Sequence, residues 1–370
     1  MTDKTIYQLG LTMINGVGDI LARHLLEAVG DAEEIFKEKA ARLERIPGIS
    51  RALIAEIKRP EVLRQAEKEL DFIRKNQIDT YFLADKKYPE RLKECPDAPV
   101  LFYFKGQADL SSRHILSIVG TRRATDYGKC QTEQLIARLA ASFPDLLIVS
   151  GLAYGIDICA HRAALHAGLP TVGVLAHGLD RIYPPVHRDT AVQMLEAGGL
   201  LTDFPAGTNP DRPNFIRRNR IVAGLADATV VVESAEKGGS LITADLAFSY
   251  GRDVFSFPGR VYDPHSRGCN LLIRQNKAAL ITSAEDLISA LRWDVGRTDA
   301  PLARQTRLVF PEEGPEVRIV ASLEAKEEVQ INQLALELAM PVQVLSALLF
   351  TLEMKGLVRS LPGNRYRLAR

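Results

Sequence analysis

Three observations predict an α/β protein built on a doubly wound parallel sheet. Between residue 113 and about residue 290, apolar runs recur as HILSIVG, LLIVSG, TVGVLA, GLLTDF, ATVVVES, DVFSFPG and AALITS. Helical stretches, among them GKCQTEQLIARLAASF and GIDICAHRAALHAG, separate them. The Val/Ile/Leu runs are continuous rather than alternating, the pattern of strands covered on both faces. Glycines fall where these strands end, and in such sheets ligands bind beyond the carboxyl ends of the strands.

A chain of 370 residues is too long for one typical core, so two or three domains are expected. Apolar residues make up 46% and charged residues 25%, the balance of a soluble globular protein. A formal net charge of +1 excludes a global field for a polyanion, so any basic site has to be a local patch. The opening MTDKTIYQLGLTM lacks the layout of a signal peptide, and no apolar run reaches the roughly 18 residues of a membrane span. Cys95, Cys130, Cys159 and Cys269 are scattered without CxxC pairing, which points to a reducing cytoplasm and to neither disulfides nor a zinc site.

Residues 1–78 are charge-rich and read as a helical domain. INGVGDILARHLLEAVG places a Gly16-Val17-Gly18 turn before an apolar face at Ile20, Leu21, His24, Leu25 and Val29. A weaker copy follows in LERIPGISRALIAEI, where Ile46-Pro47-Gly48-Ile49 takes the turn and Ser50 can cap the next helix. Paired hairpins of this kind resemble helix-hairpin-helix modules, whose helix-start N–H groups can hold a phosphate; plain protein contacts fit them equally. TYFLADKKYPERLKECPDAPVLFYFKG (80–106) reads as a strand-containing extension of the central domain, which spans 79–292. Residues 293–314, with Pro, Gly and mixed charge but no periodicity, read as a linker. In 315–370, EVRIVASL, INQLALELAM and VQVLSALLFTLEMKGLV precede RSLPGNRYRLAR, giving three helices and a Pro-Gly hairpin. That order matches a small winged helix.

The chemistry gathers in four turns. SIVGTRRATDYG (117–128) lacks the second and third glycines of a dinucleotide fingerprint, and no Walker loop occurs anywhere in the chain. What remains is Gly120, which lets backbone approach an anion, the N–H groups of a helix start, and the planar charged fork of Arg122. A surface arginine beside an ordinary turn fits the same residues. The stretch DRPNFIRRNRIVAGLADATVVVES packs Arg212, Arg217, Arg218 and Arg220 close together on a partly apolar segment. Such clustering implies a bound anion or several buried acids. Arg217 and Arg220 are three apart and neighbours on a helix. Phe215 is either a core residue or a face on which a base stacks, worth roughly 1–3 kcal/mol per base.

A third turn, ESAEKGGSLITADLAFSYG, offers Lys237, the Gly238-Gly239 pair and Ser240 as a cap or donor. A fourth, SGLAYGIDICAHRAAL, holds Gly151 and Gly155, with Asp157 and His161 four apart on one helix. A structural contact or a cap accounts for that pair better than acid–base chemistry, since no nucleophile or metal-ligand partner sits at a telling spacing. His177 and His187 likewise lack a nameable partner. Anion-holding groups are in excess and a general base is missing, so the balance favours binding over catalysis.

GTRRATDYG, SGLAYGIDICAH, TVGVLAHGLDRIYP, FIRRNRIVAGLADATVVVESAEKGGSLITADLAFSYGRDVFSFPG and SRGCNLLI follow one another in an order that resembles the DNA-processing protein A (DprA/Smf) family, over about 80–290. The resemblance implies an extended Rossmann-like domain that binds single-stranded DNA, dimerises, and helps to place the RecA recombinase on DNA. It also implies similarity to proteins that protect incoming strands in natural transformation. Carried over by motif, the phosphate-holding groups are Gly120, Thr121 and Arg122, then Arg212, Phe215, Arg217, Asn219 and Arg220, then Lys237, Gly239 and Ser240. Catalytic residues, metals and cofactors are not implied. Two departures stand out. Gly238 occupies the place of the family's usual serine, which loosens one hydrogen bond. RQNKA replaces the usual glycine-alanine ending after SRGCNLLI, leaving open a pocket boundary or dimer edge near Asn276.

A second reading comes from a different class. GGSLITA distantly resembles the glycine-rich loop of lysine-decarboxylase-like phosphoribohydrolases, and Asp245 stands where those enzymes carry an acid. Arg122 and the Arg217/Arg220 pair exceed what one nucleotide needs, and the flanking domains suit nucleic acid better.

Overall fold

The computed structural model describes residues 4–293 and 314–369, apart from positions 325 and 327. Most of the expected linker, 294–313, lies outside the described residues.

Six helices open the chain: α1 (Lys4–Met13), α2 (Asp19–Val29), α3 (Ala32–Lys37), α4 (Ala40–Leu43), α5 (Arg51–Ile57) and α6 (Pro60–Asn76). Gly16 and Gly48 take the turns at φ 83° and 87°, and Ser50 caps α5 through the Leu53 N–H. The buried face of α2 differs from the expected one. Ala22 and Leu25 are its buried residues, while Ile20 and His24 face solvent.

The extension supplies β1 (Asp79–Phe82), α7 (Glu90–Lys93) and β2 (Leu101–Gly106). The central domain continues through β3 (Ile115–Val119), α8 (Asp126–Ser142), β4 (Leu147–Ser150), α9 (Ile156–His166), β5 (Thr171–Val174), α10 (Arg188–Ala197) and β6 (Gly199–Thr202). After these come α11 (Arg212–Leu225), β7 (Ala228–Val231), α12 (Gly239–Ser249), β8 (Asp253–Ser256), α13 (Arg267–Arg274), β9 (Ala279–Leu280) and α14 (Ala284–Ala290). Nine strands form one sheet in the order β1-β2-β6-β5-β4-β3-β7-β8-β9. From β6 to β9 every pairing is parallel, but β2 pairs antiparallel with both β1 and β6. The sheet is therefore mixed, with an antiparallel edge added by the extension.

Alternation along each strand explains the double winding. Ile115 and Val119 of β3 join Ile221, Val222 and Leu225 of α11 and Ala244 and Ala247 of α12 on one face. Leu116 and Ile118 join Leu135, Ile136 and Leu139 of α8 and Ile156 and Ala160 of α9 on the other. Strand order turns back between β3 and β7, and that junction is the topological switch point where ligands sit in such folds. Asn276 ends α13 at φ 55°, a left-handed conformation that asparagine tolerates in place of glycine.

The last unit has α15 (Pro315–Glu324), β10 (Val329–Gln330), α16 (Ile331–Leu338), α17 (Val342–Met354), β11 (Val358–Leu361) and β12 (Arg365–Leu368). It is a winged helix with one strand, β10, that the sequence did not suggest. Its hairpin docks on the central domain. Arg365 donates to Glu94 at 2.9 Å and to Glu328 at 2.6 Å, and Arg252 reaches the same Glu94 at 2.9 Å. Among the described residues, no single helix is long and apolar enough to cross a membrane.

Candidate anion-binding groove

The turns after β3, β4 and β7, together with α11, enclose a groove of about 870 Å³ at the switch point. Gly120, Thr121, Arg122, Arg212, Phe215, Asn219, Lys237, Gly239 and Ser240 all line it. Arg122, Arg212 and Lys237 are exposed cations with no carboxylate partner among the described residues. The Arg122 guanidinium lies 5.0 Å from the centre of the Phe215 ring, the placement of a cation–π contact. Asn219 ties α11 to the third turn by donating to the Gly239 carbonyl at 3.4 Å.

The helix starts that follow the first and third turns, those of α8 and α12, differ. The start of α8 is already filled: Thr125 caps the Gly128 N–H, and the buried carboxylate of Glu233 accepts from the Thr125 N–H at 2.9 Å and its hydroxyl at 2.5 Å. An anion in this turn therefore meets Arg122 and not the first N–H groups of α8, contrary to the expectation from the sequence. The reason for Gly120 also changes. A Cβ there would stand 2.4 Å from the Ile156 side chain, so glycine lets β3 and α9 pack closely. The start of α12 is open, because Gly238 at its N-cap makes no side-chain cap. A Cβ on Gly238 would meet the Ser234 hydroxyl at 2.3 Å, and Ser240 donates to that hydroxyl at 2.9 Å. Ser234 thus fills the space in which the family's usual serine would project. The dipole and free N–H groups of α12 remain directed at the groove.

Two expected site residues are elsewhere. Arg217 and Arg220 do not line the groove; they lie on the far side of α11, against the N-terminal domain. Arg220 pairs with Asp203 at 2.5 Å and Asp19 at 2.9 Å, and also donates to the Asp97 carbonyl. Arg217 pairs with the same two carboxylates and stacks over Phe204 at 5.2 Å. Burial alone would lower the Arg220 pKa, yet Asp203 and Asp19 raise it above its ordinary value. This is the second outcome that clustered arginines imply, a set of buried acids.

Arg218 was not among the expected site residues, and it forms the floor of the groove. It is 5% exposed and donates to the Val174 carbonyl. Burial lowers its pKa, offset by the charge of Asp157, itself 8% exposed. Asp157 thus answers Arg218 rather than His161. Burial pushes the Asp157 carboxyl up, with Arg218 opposing.

His161 is wholly buried. Its Nε2 donates to the Gly151 carbonyl, and its Nδ1 meets the Thr171 hydroxyl at 2.7 Å. Burial lowers its pKa to about 4, so the folded state holds it neutral while the unfolded chain protonates it near 6.5. The unfolded state therefore binds more protons between these values, and stability falls as pH drops through that window. Urea unfolding of the wild type relative to His161→Gln is expected to show an extra loss of about 2 kcal/mol between pH 7 and pH 5.

Asp245, the acid of the hydrolase reading, pairs with Lys277 at 2.6 Å at the rim of the groove. Among the described residues, no group of three or more His, Cys, Asp or Glu side chains is placed to hold a metal ion. In the winged helix, Arg365 and Lys355 are paired with acids, and α17, VQVLSALLFTLEM, contains neither Lys nor Arg.

Known proteins share this domain order and fold. Residues 79–292 match the DNA recombination-mediator protein A family, 298–364 the DprA winged helix domain, and 9–59 a SAM-like helix-hairpin-helix tandem. Protein Smf from Synechocystis is 32% identical, over 98% of this chain and 98% of its own. DNA processing protein DprA from Bacillus subtilis is 40% identical, over 59% of this chain and 73% of its own. The X-ray structure of DNA processing protein A from Streptococcus pneumoniae superposes with a TM-score of 0.63 at 31% identity, covering 78% of this chain and 98% of that one. DNA processing protein A from Helicobacter pylori, described for its single-stranded DNA binding mode, gives 0.53 at 29% identity, covering 60% and 98%. By its central domain and both flanking units, the chain belongs to the DNA recombination-mediator protein A (DprA/Smf) family.

Proposed function

We propose that this protein binds single-stranded DNA in the groove at the switch point, without catalysing a reaction, and passes the strand to the RecA recombinase in recombination and natural transformation. One observation carries the binding reading: Arg122, Arg212 and Lys237 face one cavity, none of them in an ion pair among the described residues, beside the uncapped start of α12. Unpaired cations at a helix start fit phosphate oxygens. Arg122 over Phe215 adds an aromatic face for an unpaired base. The family description, a recombination mediator, supports transfer to a recombinase, and the relative from H. pylori supports a single strand as the ligand. Action on DNA in the cytoplasm as a homodimer belongs to the same reading.

The hydrolase alternative is weaker. Its acid, Asp245, is paired with Lys277, and the charge of Asp157 is answered by Arg218.

Anisotropy of a labelled oligothymidine across a salt series tests the proposal. Submicromolar to micromolar binding is expected, tighter for single than for double strands. The slope of log K against log salt should be about −0.7 per phosphate contacted. Binding indifferent to salt, or release of ribose phosphate from nucleoside monophosphates, would reject it.

A further inference from the structure

Beyond the rim of the groove, on the side of β5, lies an aromatic residue that neither the fold nor the groove requires. Tyr183 sits in the connection from β5 to α10, beyond the carboxyl end of β5. The residue is 43% exposed, and its hydroxyl has no hydrogen-bond partner among the described residues. The ring centre lies 6.1 Å from that of Phe215, with the two planes inclined at 57°. Phe215 in turn stands under Arg122. The three side chains therefore form an unbroken row from the centre of the groove outward: guanidinium, phenyl, phenol.

We propose that Tyr183 is a base-stacking residue, a platform that carries unpaired nucleobases past the groove on the β5 side. The proposal rests on the single-strand reading above and specifies where the strand leaves the cavity. An inclination of 57° means that the two rings do not use up each other's faces, so each keeps area for a base. Packing alone does not account for Tyr183, because a residue 43% exposed leaves much of its ring open to solvent. Bases in a duplex hide their faces in the stack, whereas a single strand can lay them on aromatic rings in a sequence-tolerant way. The platform thus adds strand selectivity to a groove whose cations alone would attract any polyanion. Tyr154, in the turn after β4, is 49% exposed and meets His187 edge-on at 5.0 Å, so the same sheet edge continues with aromatic surface.

Two ligands of equal length and charge separate stacking from phosphate binding: an oligothymidine 15-mer and an abasic deoxyribose-phosphate 15-mer. Tyr183→Ala should weaken binding to oligothymidine about tenfold and leave the abasic strand within about twofold. Tyr183→Phe should restore wild-type affinity, since the face and not the hydroxyl is used. Arg122→Ala should weaken both ligands. The platform is refuted if Tyr183→Ala matches the wild type on oligothymidine, or if it loses equally on both strands. The groove reading survives either of those results as long as the wild type binds and Arg122→Ala does not. A wild type that binds neither ligand removes both proposals.

Discussion

Replacing Arg122 with alanine is expected to weaken single-stranded DNA binding by about 10- to 100-fold, the range for losing a hydrogen bond to a charged group. The effect should be similar for oligothymidine, oligocytidine and mixed sequences, because a phosphate contact carries no base information. The salt slope should shrink by about 0.7, the share of one phosphate on a single strand. Arg122 is exposed, unpaired among the described residues, and held only against Phe215. Its removal leaves no buried charge behind, so the melting temperature should hardly move. Anisotropy and a thermal melt on the same preparation check both halves. A variant that binds as the wild type does would show that the strand avoids the turn after β3.

Arg220→Met should do the opposite. Its side chain is 8% exposed and contacts Asp203, whose side chain is 1% exposed, and Asp19 of the N-terminal domain. Its loss leaves Asp203 and Asp19 with only the half-exposed Arg217 as cationic partner, and breaking a buried pair costs up to about 3–5 kcal/mol. Urea unfolding followed by the fluorescence of Trp293, the single tryptophan and part of the central core, reads this loss. Asp203→Asn in the Arg220→Met background should recover part of it, since the stranded charge is gone. Binding of oligothymidine at low temperature should stay within about twofold of wild type. Lost binding with intact stability would return Arg220 to the groove.

The contrast between these two arginines shows what could be read from the sequence. The parallel strands were legible because HILSIVG and ATVVV are unbroken apolar runs, and only burial on both faces selects such runs. The glycine turns at their ends located the groove. In α11 the relevant information was present but needed an angle. At 100° per residue, Arg212, Phe215, Arg218, Asn219 and Val222 fall on one side of the helix, while Arg217 and Arg220 fall together on the other. All five of the former line the groove, and Arg218 could have been found this way. The acids that claim Arg217 and Arg220, Asp19 and Asp203, were out of reach because they come from a different domain and a different strand end. The same holds for Glu233, which closes the start of α8 from more than a hundred positions away. The antiparallel pairing of β2 with β6 was also hidden, since LFYF is as apolar as any parallel strand.

The groove draws its walls from the turn at Gly120, the floor at Arg218 and the helix start at Gly239. None of these is local to another, so no wall exists until the sheet has closed around β3. The site therefore exists only in the folded domain, with its loop-closure entropy spent before any ligand can bind. A strand bound there holds together the two halves of the sheet on either side of the switch point. At a hundredfold excess over Kd this adds about 2.7 kcal/mol to global stability. DNA, on this view, is also the clasp of the domain that holds it.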